Sequence, residues 1–262
     1  MKKKLIILGG GGFISSHVEK ICRQKNKKYI AFKRKKIDLT KMSNVKKVKK
    51  SINPKDVIFF VAAKAPAKDL FMFNQNVKMV KNFCKVFNEN NFSKIIYLSS
   101  DAVYSDSKKK LKETSLKKPK SFHGLMHLTR EKIIKKNFSI KKILILRPTL
   151  VYGKKDPHNG YGPNKFLKEA KTKRKIHIFG KGEELRDHIW VKDLANIIFR
   201  MIFSNQHGEF NCTTGKLISF YSIAKTIKKI KKIKIIHIKR KGKMPHNGYR
   251  PISNLKIRKL FP

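Results

Sequence analysis

Acidic residues are scarce: 16 Asp and Glu stand against 65 Lys and Arg, a formal charge of +49 in 262 residues. The imbalance says nothing about the fold, but such a field draws phosphate polyanions, from nucleotides to RNA to anionic lipid. The basic residues are mostly lysine and are spread along the whole chain rather than gathered in a tail. Runs such as "KKKLKETSLKKPK" (108–120) and "TIKKIKKIKIIHIKRKGK" (226–243) hold few aromatic residues on which bases could stack. Two readings of the charge stand open: lysine bias on solvated faces, or a polyanionic partner. Cysteine is scarce too. Cys22, Cys84 and Cys212 are odd in number and far apart, which excludes a disulfide framework and a CxxC metal site and fits a reducing compartment. No run approaches the roughly 18 to 20 apolar residues of a membrane-spanning helix. The opening "MKKKLIIL" imitates a secretion signal, but "GGGG" cuts its apolar run and no small-x-small cleavage site follows. The expected location is cytoplasmic. Gly and Pro are not in excess and 40% of residues are hydrophobic, which argues against disorder. The length suits one large domain, or a domain with a smaller lobe.

What is present is an alternation of strands and helices. "KKLIIL", "KYIAFKR", "DVIFFVAA", "KIIYLSS" and "KKILILRP" read as strands, the apolar runs among them fitting a sheet buried on both faces. Helical stretches such as "ISSHVEKICRQK", "FMFNQNVKMVKNFCKVFNENN" and the one begun by "HGLMH" lie between them. The pattern predicts an α/β fold with a doubly wound, Rossmann-type parallel sheet over 1–153. From 154 to 262 the texture turns to loops and short strands such as "KIHIFG" and "KIKIIHIK". That half predicts a small C-terminal substrate lobe, with about 186–215 returning to the core. One repeat stands out, "PHNGYGP" (157–163) and "PHNGYRP" (245–251), read as two loops serving one pocket.

"LGGGGFISSH" follows the first strand and opens a helix, the context in which a glycine motif carries chemistry. Gly9 and Gly12 fit the first two positions of a G-x-x-G-x-x-G loop, where missing side chains let backbone N–H groups approach a pyrophosphate. Ser15 stands where a third glycine is usual. Beyond the second strand, Lys33 and Arg34 replace the acidic residue that would bond an adenosine ribose; basic groups suit a 2′-phosphate, so NAD and NADP both stay open.

In order along the chain, "LGGGGFISSH", "DL" (38–39), "FFVAAKA" (59–65), "QNV" (75–77), "LSSDAVY" (98–104), "HGLMHLTRE" (123–131), "LRPTLVYG" (146–153), "RDHIWVKDLA" (186–195) and "FNCTTG" (210–215) resemble the extended short-chain dehydrogenase/reductases. The closer resemblance is to their NAD-dependent epimerase/dehydratase branch, which acts mainly on nucleotide sugars. It implies a dinucleotide held by Gly9, Gly12, Phe13, Ile14, Lys33, Arg34, Asp38, Leu39, Ala62, Ala63, Lys64, Ser99 and His127. It implies that Ser100 bonds a substrate oxygen beside Asp101, and that Arg186 contacts sugar-nucleotide phosphates. His158, Asn159, Tyr161 and Asn164 fall where the family meets substrate, and the repeat adds Tyr249 and Arg250.

The family places a Tyr-x-x-x-Lys pair on the helix after "SSDAVY"; here those positions hold His123 and His127. Spacing i, i+4 puts both imidazoles on one helix face. Three readings compete: an acid/base pair in place of Tyr and Lys, since imidazole exchanges protons near neutrality; a site that has lost its chemistry; and a metal face with Glu131. The resemblance implies an NAD(P)-dependent epimerase, dehydratase or reductase of a sugar nucleotide or related sugar, as a homodimer, with Ser100, His123 and His127 catalytic and no metal. The alternative is a catalytically silent relative that binds dinucleotide, RNA or a protein.

Overall fold

The computed structural model describes residues 3–261. The first half alternates strictly: β1 (Leu5–Leu8), α1 (Phe13–Gln24), β2 (Tyr29–Phe32), α2 (Met42–Lys49), β3 (Val57–Phe60), α3 (Leu70–Val86), β4 (Lys94–Leu98), α4 (Phe122–Asn137) and β5 (Ile143–Pro148). These strands pair in parallel, as the long βαβ connections require. The runs LIIL and VIFF are buried at every position because helices cover both faces of the sheet. Alternate side chains divide between two cores. Leu5, Ile7, Phe59 and Leu144 face α1, whereas Ile6, Phe60, Tyr97 and Ile145 face α3 and α4 with Phe83 and Ile134. A buried Leu, Ile or Phe contributes about 1.5–3 kcal/mol, so these faces dominate the stability of the unit. Helix starts are fixed locally: the Asp69 carboxylate accepts from Met72 N–H, and Ser121 Oγ from Gly124 N–H.

The remainder comprises β6 (Leu150–Tyr152), α5 (Pro163–Lys173), β7 (Lys175–Phe179), β8 (Leu185–Arg186), β9 (His188–Trp190), α6 (Val191–Phe203), β10 (Gly208–Cys212), β11 (Ile218–Ser219), α7 (Phe220–Ile230), β12 (Lys234–Ile238) and α8 (Leu255–Arg258). Several of these elements join the first half, among them β10 and α6. Strand β10 lies parallel to β5 and completes a six-stranded sheet of order β10-β5-β4-β3-β1-β2. Helix α6 packs on α1 through Leu194, Ile198 and Ile202. A separate small core of Phe166, Ala170, Ile176, Ile178, Phe220, Ala224, Ile227 and Ile233 holds α5, β7, α7 and β12 together as a lobe. The Rossmann-type parallel sheet with an accompanying small lobe is therefore the observed architecture. The carboxyl ends of β1, β3 and β4, where open α/β sheets bind ligands, lead into the glycine turn, residues 61–64 and residues 99–103.

Candidate active site

The glycine turn between β1 and α1 is held by its own side chains. Ser15 Oγ donates to the Gly9 carbonyl at 2.9 Å and accepts from Gly12 N–H at 2.9 Å. Glu19, one helical turn beyond Ser15 and buried, accepts from Gly11 N–H at 2.7 Å. Gly9 has φ +102°, and a Cβ there would lie 2.6 Å from Ala62 N; at Gly10 it would lie 2.7 Å from Ala31 Cβ. Gly12 differs: its φ is −76°, and an added Cβ meets only Ser15 Oγ at 3.4 Å and the Gly9 carbonyl at 3.6 Å. So Gly9 is needed by the chain itself, whereas Gly12 leaves open a space that no protein atom fills. Phe13 and Ile14 begin α1, whose first amides have no side-chain cap. The four glycine N–H groups are already bonded, to the Phe32 carbonyl, Glu19 and Ser15, so the amides that fit a pyrophosphate are the uncapped first ones of α1, beside the vacant Cβ position at Gly12.

The rest of the predicted dinucleotide set surrounds this turn. Lys33 and Arg34 lie just beyond β2, Arg34 exposed and the stem of Lys33 running along Gly11. The Asp38 carboxylate accepts from both the backbone and hydroxyl of Thr40, and the backbone bond holds its pKa below the usual range. Leu39 is in the core. Ala62 and Ala63 follow β3, and Lys64 is braced by Asn76, whose side chain bonds Lys64 N–H at 2.8 Å and its carbonyl at 2.9 Å. Ser99 is buried, and its hydroxyl donates to Glu131 at 2.6 Å.

At the end of β4, Ser100 caps the single 3₁₀ turn Asp101–Val103, accepting from Ala102 N–H at 3.1 Å. This turn lies against the start of α4 so closely that any side chain at Gly124 would collide with the Ala102 carbonyl. His123 beside this contact lies near the Asp101 carboxylate, and His127, one helical turn on, is buried against Tyr97. Their rings meet edge to face with centroids 4.7 Å apart. Burial lowers the pKa of His123, opposed by the neighbouring Asp101 carboxylate. Burial pulls His127 well below 6.5, with His123 and Arg130 adding to the shift. Both rings are thus neutral at pH 7. Tyr97, from the middle of the sheet, places its hydroxyl 2.7 Å from His127 Nδ1. The phenol has no other partner among the described residues, so its proton is satisfied when it donates to Nδ1, which leaves the His127 proton on Nε2. Nδ1 of His123 is buried without a partner; Nε2 of neither ring is sealed in this way.

Glu131 does not join the histidines. Its carboxylate takes a two-pronged bond from Arg147, at 2.9 and 2.7 Å, together with the Ser99 hydroxyl. Among the described residues no three His, Cys, Asp or Glu come together as a metal-binding group. Arg147 also pairs with Glu209 and Tyr104, which ties β5, α4 and β10 into one buried network.

The two repeat loops take different courses. His158 and Asn159 are exposed, with His158 close enough to His123 for its charge to oppose protonation there. Asn164 bonds Gly153 N–H and Asp156, bracing the first loop. Tyr161 turns into the small lobe, its hydroxyl accepting from Phe179 N–H at 2.8 Å among Phe166 and Phe220. In the second loop Arg250 is buried: it donates to Asp101 at 2.9 Å and to Asp106, and His246 joins Asp106 beside it. Tyr249 is 38% exposed above this cluster. Arg186 is buried against Glu184 and the Pro245 carbonyl. The structure thus gathers Ser100, Asp101, His123 and His127 at one point with Arg250 behind Asp101, and leaves Tyr161 in a lobe core. Tyr97 and Arg130, which sequence reading passed over, complete the surroundings of His127. Alternation along β4 carried the signal, since Tyr97 and Ser99 share the face that meets α4.

A sequence model described as the NAD dependent epimerase/dehydratase family matches residues 5–212. Among curated proteins, GDP-mannose 3,5-epimerase 1 of Oryza sativa subsp. indica is 25% identical over 261 residues, covering 86% of this chain and 68% of the rice protein. Among solved structures, the UDP-glucose 4-epimerase of Thermus thermophilus in complex with NAD is 19% identical with a TM-score of 0.79, over 99% of this chain and 93% of that one. Bacillus anthracis str. Ames dTDP-4-dehydrorhamnose reductase in complex with NADP is 19% identical with a TM-score of 0.82, over 98% and 93%. At these identities the solved structures speak for the fold.

Proposed function

The chain belongs to the NAD dependent epimerase/dehydratase family, and from that premise we propose an NAD(P)-dependent enzyme that epimerises, dehydrates or reduces a nucleotide sugar or a related sugar. The observations that support this most are a glycine turn whose Cβ space at Gly12 stands open beside the uncapped first amides of α1, and two neutral histidines in contact near the Asp101 carboxylate. Gly9, Gly12, Phe13 and Ile14 hold the dinucleotide diphosphate, Asp38 and Leu39 its adenosine end, and Ala62, Ala63, Lys64 and Ser99 line its length. Lys33 and Arg34 accommodate a 2′-phosphate, so NADP is admitted as readily as NAD. When bound, the dinucleotide supplies reversible hydride exchange.

The protein residues then handle position and protons. Ser100 bonds the reacting sugar oxygen. His123 is neutral at pH 7 and offers Nε2 to the cleft, so it takes the hydroxyl proton and returns it, while the Asp101 carboxylate steadies the transient imidazolium. His127, fixed as an Nε2–H donor by Tyr97, bonds the nicotinamide ribose. Arg186, His158, Asn159, Asn164, Tyr161, Tyr249 and Arg250 shape the sugar-nucleotide end, the buried arginines through the loops they hold. The test is titration of the purified protein with NAD(H) and NADP(H), followed by turnover of a panel of UDP-, GDP- and dTDP-sugars. Dinucleotide binding, with turnover reduced at least about a hundredfold by His123→Phe, is the expected result. Salt-sensitive RNA binding without dinucleotide binding would replace this reading with the silent alternative.

A further inference from the structure

Two arginines, Arg130 and Arg147, are completely sealed from solvent, and they are treated in opposite ways. Arg147 is met by Glu131 and Glu209, each at 2.7 Å. Arg130 has no carboxylate partner among the described residues. One guanidinium nitrogen donates to the Ala62 carbonyl at 2.8 Å, another reaches only the Met126 thioether at 3.8 Å, and Nε is buried with nothing to bond. The group is sandwiched against the Phe60 and Tyr97 rings, with centroids 5.0 and 5.1 Å away. A buried charge without a counter-ion is costly to the fold, and truncation to an apolar group of similar length relieves that cost. The ligand-free protein therefore gains little from Arg130.

Its position says what would compensate it. Arg130 lies behind the carboxyl ends of β3 and β4, and its one good acceptor, Ala62, is the residue against which Gly9 of the glycine turn is packed. Arg130 bonds Ala62 and Ala62 packs against Gly9, so two contacts join the unmatched cation to the turn. We propose that Arg130 is a built-in counter-charge for the dinucleotide diphosphate, acting through the protein interior rather than by contact. This rests on the dinucleotide reading above. A nucleotide sugar also carries a diphosphate, but the contact of Ala62 with Gly9 favours the dinucleotide. A unit charge acting across about 10 Å of protein changes a binding constant roughly tenfold.

The experiment compares wild type, Arg130→Met and Arg130→Lys as full chains. Urea unfolding is measured without ligand, and affinity for NADH, NADPH and UDP-glucose is measured separately. Arg130→Met is expected to unfold at the same or a higher urea concentration, yet to bind the dinucleotides about tenfold more weakly. Arg130→Lys, which keeps the charge, is expected to stay within about threefold of wild type. A clear loss of ligand-free stability in Arg130→Met would make Arg130 a structural residue and overturn the proposal. So would a folded Arg130→Met with wild-type dinucleotide affinity, or a loss confined to UDP-glucose. Wild-type protein that binds no dinucleotide would instead sink the functional reading itself.

Discussion

The glycine turn allows the folding requirement and the ligand requirement to be separated, because its two motif glycines differ in kind. At Gly12 the backbone is in the extended region open to any residue, and a methyl group would meet Ser15 Oγ at an ordinary 3.4 Å. Gly12→Ala should therefore leave unfolding free energy within about 0.5 kcal/mol of wild type, with reduced chain entropy in the unfolded state offsetting any crowding. A methyl in that space obstructs the close approach of a diphosphate. Overpacking of this kind costs about 1–3 kcal/mol, or roughly ten- to a hundredfold in affinity. Gly9→Ala is the opposite case. It combines φ +102° with an overlap 2.6 Å from Ala62 N, so it should cost at least about 2 kcal/mol of stability whether or not ligand is present. Chemical unfolding of both variants, paired with dinucleotide titration, separates the two requirements. Gly12→Ala that binds NAD(P)H as tightly as wild type would refute the phosphate assignment of the turn. Equal destabilisation by the two substitutions would refute the reasoning about its backbone.

Two further outcomes follow. Tyr97→Phe leaves His127 Nδ1 buried without its only hydrogen bond, so stability should fall by about 1–2 kcal/mol and dinucleotide affinity by several-fold as the ring loses its fixed orientation. Nitrogen NMR of wild type should show His127 neutral with its proton on Nε2; a proton on Nδ1 would be contrary to the geometry. His188 provides a pH test, since both its ring nitrogens are buried without side-chain partners among the described residues and burial lowers its pKa from 6.5 to about 4. Its contribution is intact above pH 6.5 and is lost as pH falls from 6.5 towards 4, because only the unfolded chain takes up the proton there. By about pH 5 this costs about 2 kcal/mol. His188→Leu should therefore lose about 2 kcal/mol less than wild type between about pH 7.5 and 5.0, and parallel losses would show that the imidazole is not the acid-labile group.

The architecture was legible in the sequence because burial on two faces leaves an unambiguous mark. LIIL, VIFF and ILIL can only be central parallel strands once helices alternate with them, and the observed order confirms the expected sheet. The glycine turn was legible for a similar reason, since few structures need four consecutive glycines between a strand and a helix. What the sequence did not reveal is how charges are matched, because that depends on residues far apart in the chain. Arg130 and Arg147 look alike as letters. One meets Glu131 and Glu209, and the other is left facing aromatic rings and a carbonyl 68 residues away. Arg250 likewise reads as a substrate-facing group in a repeated loop, yet its guanidinium is engaged with Asp101 and Asp106, across 149 and 144 residues.

The same logic sharpens the two histidines. As letters they admit a metal face, a lapsed site or an acid/base pair. Glu131 is committed to Arg147, the Tyr97 phenol bonds His127, and the Arg130 guanidinium opposes its protonation from nearby. A lapsed site has no need to keep a costly cation unpaired near the histidines. The unmatched cation becomes intelligible if the site still receives an anionic ligand that returns the energy it withholds from the empty fold.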